Sequence, residues 1–279
     1  MSLPRELADA FSERPANAHK RSVGTVAVIG GCVRFPHAPA IAALGARAAG
    51  AGLVGLCVPA ASRFAAAVLV PEATFFESGN PPVADVFAAG MGFGDRPSAR
   101  EEVRRLLAGG CRRLVLDADA LAVLALLASE GEYPCDGAPE LVLTPHEGEA
   151  AKLLGWPCEK IASQRRAAVC EIASRYRATA VLKGPGTLVA SADLSRIFEN
   201  PAGNPEMALG GMGDLLSGVV AARWSALKTD AFLAASSAVW LHSAASDSLV
   251  AAGEDPSIAN TAAAIGSLRL ELETKYRRT

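Results

Sequence analysis

Short β-branched apolar runs alternate with Ala- and Leu-rich stretches of helical length along most of the chain, and this alternation limits the available folds more than any single motif. Strands are expected at Val26–Ile29, Leu53–Val58, Val83–Ala89, Arg113–Asp117, Leu141–Thr144 and Ala180–Lys183. Helices are expected between them at Pro39–Ala49, Ser98–Ala108, Ala120–Ser129, Glu147–Leu154 and Ser163–Arg177. The strand runs are apolar at successive positions, so both faces of each need cover. The pattern predicts a three-layer α/β/α sandwich around a largely parallel sheet. After Lys183 the rhythm changes. Thr187–Ala190 and Ser195–Glu199 flank the turn Ser191-Ala192-Asp193 and read as an antiparallel hairpin. Helices follow at Asp214–Ala226, Ala231–Leu249 and about Asn260–Tyr276. No linker or repeat interrupts the run, and residues 1–279 are expected to form one domain.

With 51% hydrophobic residues the 279-residue chain can build a sizeable core. Its 27 Lys+Arg are balanced by 29 Asp+Glu, which leaves no clustered basic charge to attract nucleic acid and favours a small-molecule partner. The N-terminus mixes charges from the start and does not read as a secretory signal. Ala231–Ser246 is free of charge, but it is too short and too rich in Ala and Ser for a membrane span, and it reads as a buried helix. The six cysteines, Cys32, Cys57, Cys111, Cys135, Cys158 and Cys170, form no C-x-x-C pair. Reduced thiols in the cytoplasm are expected.

The segment richest in chemistry is Gly210-Gly211-Met212-Gly213-Asp214, where glycines open into an apolar helix. Glycine lets the backbone approach an anion closely, and the first amides of a helix favour negative charge. A carboxylate beside bound phosphates would be repelled, so Asp214 needs a task such as taking the proton of a hydroxyl that attacks phosphorus. An ordinary acidic first-turn residue is the plainer alternative, and the clustered glycines weigh against it. Thr144-Pro145-His146-Glu147-Gly148-Glu149 follows a strand and enters a helix, at the sheet edge where open α/β folds bind ligands. Hydrogen bonding of a substrate and a merely local role are evenly matched for His146, while Glu147 and Glu149 read as first-turn acids. The other histidines, His19, His37 and His242, show no metal-ligand spacing with it.

Lys183-Gly184-Pro185-Gly186-Thr187 offers a point charge among small residues for a nucleotide phosphate, or else an exposed turn. Asp117 and Asp119 end another strand at the same edge, where one could approach a metal–phosphate complex or merely cap the following helix, and for Asp119 capping is the expected role. Gly30-Gly31 and the turn Gly90-Met91-Gly92-Phe93-Gly94 belong to the same edge. Neither matches the dinucleotide fingerprint, and no Walker motif occurs.

Taken in order, Val28-Ile29-Gly30-Gly31 with Ala38-Pro39, Leu116–Leu121, Leu143–Glu149, Lys183-Gly184 with Thr187, and Gly210–Asp214 resemble the NAD(P)H-hydrate dehydratase family. The resemblance implies a ribokinase-like fold and a lyase that repairs (S)-NADHX or (S)-NADPHX to NADH or NADPH. It implies ADP or ATP as phosphoryl donor, with Mg²⁺. Asp214 would deprotonate the hydrate hydroxyl, while backbone amides at Gly211 and Gly213 stabilise the transferred phosphoryl group. Ala38, Gly92, Gly94, His146 and Asp214 would bind the hydrate; Lys183, Gly184, Pro185, Gly186, Thr187 and Gly213 would bind the nucleotide. A homo-oligomer is implied too, and the N-terminal epimerase domain of many relatives would be a separate protein here.

The chain departs from the family pattern at His37, where glycine is usual, at Cys32, where serine is usual, and at Met91 and Phe93 in a turn that is commonly G-P-G-L-G. All four lie on the side assigned to the hydrate. A ribokinase-like small-molecule kinase acting on a vitamin precursor or sugar hydroxyl is the alternative enzyme, and a non-catalytic nucleotide-binding protein is the alternative outside catalysis.

Overall fold

A computed structural model describes residues 2–11, 14–133, 137–228 and 230–276. Its strands are β1 (Thr25–Ile29), β2 (Leu53–Cys57), β3 (Thr74–Phe76), β4 (Val86–Ala89), β5 (Arg113–Leu116), β6 (Glu140–Leu143), β7 (Thr179–Leu182), β8 (Leu188–Ala190) and β9 (Ile197–Glu199). All nine form one sheet in the order β3-β2-β1-β4-β5-β6-β7-β8-β9. The pairs from β3 to β7 are parallel, and β8 and β9 add on antiparallel. Side chains alternate between the two faces: Val26 and Val28 enter one core, Ala27 and Ile29 the other.

The first core is closed by helices α1 (Ala38–Ala48), α2 (Ala60–Leu69), α8 (Met212–Leu227), α9 (Ala231–Ala251) and α10 (Ile258–Lys275). The second is closed by α3 (Ala99–Arg105), α4 (Asp119–Ser129), α5 (Glu147–Leu154), α6 (Cys158–Ser163) and α7 (Arg165–Tyr176). This is the expected three-layer sandwich. Helix α9 is buried at every residue from Ala234 to Ser246, and no helix among the described residues is long and apolar enough to cross a membrane.

Several boundaries differ from the sequence expectation. The strand expected from Val83 begins at Val86; Val83 follows Pro81-Pro82, which cannot donate to a ladder, and is 94% exposed. The helix expected over Ser163–Arg177 is α7, which starts at Arg165 because Gln164, with φ of −130° and ψ of 42°, is not helical; the short helix α6 ahead of it was not among the expected elements. Helix α2 and the three-residue edge strand β3 were not among the expected elements either. Cys135 lies outside the described residues; the five described cysteines are free thiols.

The close packing of α1 on α8 positions the functional region. A Cβ on Gly218 would collide with the Ala42 carbonyl, and one on Gly45 with that of Leu215, so these two glycines let the helix backbones touch. That contact brings the start of α8 beside the start of α1.

Candidate active site

Because β1, β4, β5, β6 and β7 run parallel, the loops that leave them gather at one edge of the sheet. The strand order turns at β1, which lies between β2 and β4, and such a switch point opens a crevice outside the carboxyl ends. Gly30-Gly31 leaves β1 here, and the Gly31 amide donates to the Met91 carbonyl at 2.9 Å. Gly92 and Gly94 have φ of +69° and +58°; a Cβ on Gly92 would press on Phe35 and Ala38, at 2.8 and 2.9 Å. Gly92 thus meets Ala38 and Phe35 at this edge, and Gly94 lies beside Cys32 and Phe35. Asp119 does not cap α4. Its Oδ2 instead accepts from the Gly94 amide at 2.7 Å and so holds the glycine turn in place.

The start of α8 sits between this crevice and Lys183. Gly211 adopts the left-handed conformation, φ +97°, at the N-cap. A Cβ on it would lie 3.0 Å from Ile41 of α1, while one on Gly213 would lie 3.3 Å from Lys183 Nζ. The first intrahelical bond runs from the Leu215 amide to the Gly211 carbonyl, and the Met212 amide bonds Leu209 at 3.3 Å. The amides of Gly213 and Asp214 therefore lie in the turn whose donors have no helical partner. The Asp214 carboxyl is pushed up to about 7, by burial first and then by the Asp117 carboxylate, against the opposing pull of Lys183. A carboxyl near neutrality at a helix N-terminus is equipped to exchange a proton.

Lys183 is not an exposed turn residue. Its Nζ donates to Asp117 Oδ1 at 2.6 Å and lies 3.6 Å from Glu149 Oε2. Asp117, 1% exposed, takes its second bond from Ser217 Oγ at 2.6 Å, and Ser217 reaches Thr144 Oγ1 at 3.4 Å. Burial works against the charge on Lys183, but Asp117, Glu149 and Asp214 outweigh it and raise the lysine above its ordinary value. One fixed ammonium thus faces a carboxylate cluster at the foot of α8.

His146 is engaged as a helix cap: its Nδ1 accepts from the amides of Gly148 and Glu149, at 2.9 and 3.3 Å, and Glu149 answers with a bond from the His146 amide. The ring also forms part of a cavity of about 660 Å³ whose wall includes Lys183, Gly184, Pro185, Gly186, Thr187 and Gly213. It is therefore gathered with the loop assigned to the nucleotide. Gly184 and Gly186 take φ of +131° and +61°, and Arg165 of α7 holds the carbonyls of Leu182 and Lys183 from behind, at 3.2 and 3.3 Å.

The rest of the cavity comes from residues the sequence reading passed over: the loop around Asn200 and Asn204, and His242 and Ser243 of α9. Two Asn-Pro pairs were the available signal for that loop. Nothing local marked His242. Of the departures from the family pattern, Met91 and Phe93 are fully buried, in the first and second cores respectively, so they shape the turn from inside rather than from the crevice.

The fold and site define a ribokinase-like α/β protein with a glycine-opened helix start facing a ligand cavity at the carboxyl edge of its sheet. The chain belongs to the NAD(P)H-hydrate dehydratase family, whose model matches residues 26–265. It is 36% identical over 246 residues to an ADP-dependent (S)-NAD(P)H-hydrate dehydratase of Neisseria meningitidis, covering 85% of this chain and 81% of that one. It is 35% identical over 242 residues to a bifunctional NAD(P)H-hydrate repair enzyme of Coxiella burnetii; this covers 84% of the chain but only 48%, about half, of that longer relative. The ADP/ATP-dependent NAD(P)H-hydrate dehydratase of Bacillus subtilis, co-crystallised with ATP/Mg²⁺, superposes with a TM-score of 0.83 at 25% identity, over 97% of this chain and 96% of that one.

Proposed function

We propose that this chain dehydrates (S)-NADHX and (S)-NADPHX to NADH and NADPH, using ADP or ATP as phosphoryl donor. The observation that carries this is Asp214: a carboxyl pushed up to about 7 in the first turn of α8, next to Gly213 on the wall of the cavity bounded by Lys183–Thr187, with the Gly211 cap beside Ile41 of α1. The hydrate lies in the crevice and the nucleotide in the cavity, so that the reacting hydroxyl and the terminal phosphoryl group meet at the start of α8. Hydroxide leaves the hydrated ring poorly. Asp214 takes the hydroxyl proton, the oxygen attacks phosphorus, and the nucleotide departs one phosphate shorter. The ring C–O bond that now carries the phosphoryl group then breaks, its electron pair leaving on the phosphate, while the neighbouring ring carbon loses a proton and the double bond forms. Amides at the Gly211–Gly213 turn and the Lys183 ammonium offset charge on the transferred group.

Among the described residues no three His, Cys, Asp or Glu side chains are grouped to hold a metal. Magnesium would arrive with the nucleotide and offset its phosphate charge, and no step is assigned to it. The same reading has the chain act as one domain in the cytoplasm, which fits its free thiols.

The test incubates the purified chain with NADHX or NADPHX and either ADP or ATP while following reduced-nicotinamide absorbance. Nucleotide-dependent recovery of absorbance is expected. A stable phosphorylated product without recovery would mark a small-molecule kinase and overturn the proposal.

A further inference from the structure

The polar side chains on the wall of the nucleotide cavity are nearly all committed to the protein itself. Lys183 bonds Asp117, and His146 caps α5. Thr187 Oγ1 donates to the Gly184 carbonyl at 2.9 Å. Asn200 donates to the Ala202 carbonyl and to Ser243 Oγ, both at 3.0 Å, while Asn204 donates to Ser246 and Asp247 at 3.1 and 2.7 Å. His242 is the exception. It is 4% exposed, lines the cavity from α9, and its Nε2 has no hydrogen-bond partner among the described residues. A buried polar group left unpaired costs stability, and a ligand that supplies the missing partner accounts for its retention.

What that ligand presents follows from the rest of the wall. Beyond the Lys183–Thr187 loop and Gly213, which suit charged phosphate, the lining turns apolar at Met207, Leu209, Met212, Leu216 and Val239. Such a surface accepts a flat heteroaromatic ring and leaves it few polar contacts. We propose that His242 reads the adenine base of the bound nucleotide, as the hydrogen-bonding group that distinguishes a nucleotide from its phosphates alone. This rests on the nucleotide assignment made above and adds to it the residue that senses the base. Burial pushes the imidazole down to about 4, so at neutral pH it is uncharged and its Nε2 donates or accepts according to the tautomer, either of which an adenine edge can answer.

Calorimetry with ADP and with inorganic pyrophosphate on the wild type, His242→Leu and His242→Gln tests this, with melting curves to confirm that each variant is folded. The Leu variant is expected to lose about tenfold in ADP affinity, the scale of one net hydrogen bond, with pyrophosphate affinity unchanged and part of the ADP affinity restored in the Gln variant. Unchanged ADP affinity in the Leu variant, or an equal loss for both ligands, overturns the assignment of His242. A wild type that binds neither ADP nor ATP overturns the nucleotide assignment beneath it. A readout free of mutation uses isotope-labelled histidine, of which the chain has four: the His242 imidazole nitrogens should shift with ADP and not with pyrophosphate, and identical spectra with both ligands refute the proposal.

Discussion

Replacing Asp214 with Asn separates a proton-transferring carboxylate from an ordinary first-turn acid, because the two roles predict opposite changes in stability. Asp214 titrates at about 7 in the fold against an ordinary 3.8. At about 1.36 kcal/mol per pH unit, this gap means that the ionised carboxylate costs the folded state up to about 4 kcal/mol above neutrality. The opposing contribution, a favourable charge at a helix N-terminus, is about 0.3–1 kcal/mol. Desolvation therefore wins, and the Asn variant should be more stable than the wild type by about 3 kcal/mol at pH 8. The sign with pH follows. Because the folded value is raised, the folded wild type holds the proton more tightly; its stability is fullest below about pH 4 and is lost as pH climbs through about 7. The advantage of the Asn variant should accordingly shrink on acidification and vanish near pH 4. Urea denaturation at a series of pH values measures it, alongside turnover, which should fall by about 10²–10⁴ with the general base removed. Nucleotide affinity should hold or tighten as repulsion with phosphate is relieved. A variant less stable than wild type at pH 8, or one with wild-type turnover, would refute the reasoning.

Lys183→Met leaves the Asp117 carboxylate buried without its cation and should cost about 3–5 kcal/mol by chemical denaturation; adding Asp117→Asn should recover much of that loss, and a strictly additive double mutant would contradict the pairing. Asp119→Ala releases the Gly94 amide and should raise the KM for the hydrate severalfold while leaving the calorimetric nucleotide affinity unchanged. Equal effects on both ligands would show that the crevice and cavity are not separate. Gly218→Ala drives a methyl group into the Ala42 carbonyl and should destabilise the protein by more than the about 1–3 kcal/mol usual for overpacking, with melting temperature as the readout.

Much of the site could be read from the sequence because its parts are set by local rules. Glycines before an apolar helix announce a helix start whether or not the chain is folded, and the helix expected from Asp214 begins two residues earlier, at Met212 behind the Gly211 cap. Short runs apolar on both faces imply a covered parallel sheet, and a parallel sheet brings the turns after β1, β4, β5, β6 and β7 to one edge. The short elements α6 and β3, of six and three residues, leave too little sequence for a period to show, and α2 went unassigned as well.

What only the tertiary structure decided concerns partners far apart in the chain. Lys183 meets Asp117 across 66 positions, and that pairing turns an expected surface lysine into a half-buried, fixed ammonium. Asp119 became a clamp on Gly94 instead of a cap, Met91 and Phe93 turned into the two cores, and His242, hidden in an Ala- and Ser-rich helix, came to face a cavity built from three other segments. Periodicity and turn chemistry act over a few residues and survive in the unfolded chain. Desolvation, charge pairing and the collision of a Cβ with a neighbouring carbonyl arise only when packing brings distant segments into contact, so the proton affinity of Asp214 and the orphaned nitrogen of His242 are properties of the fold.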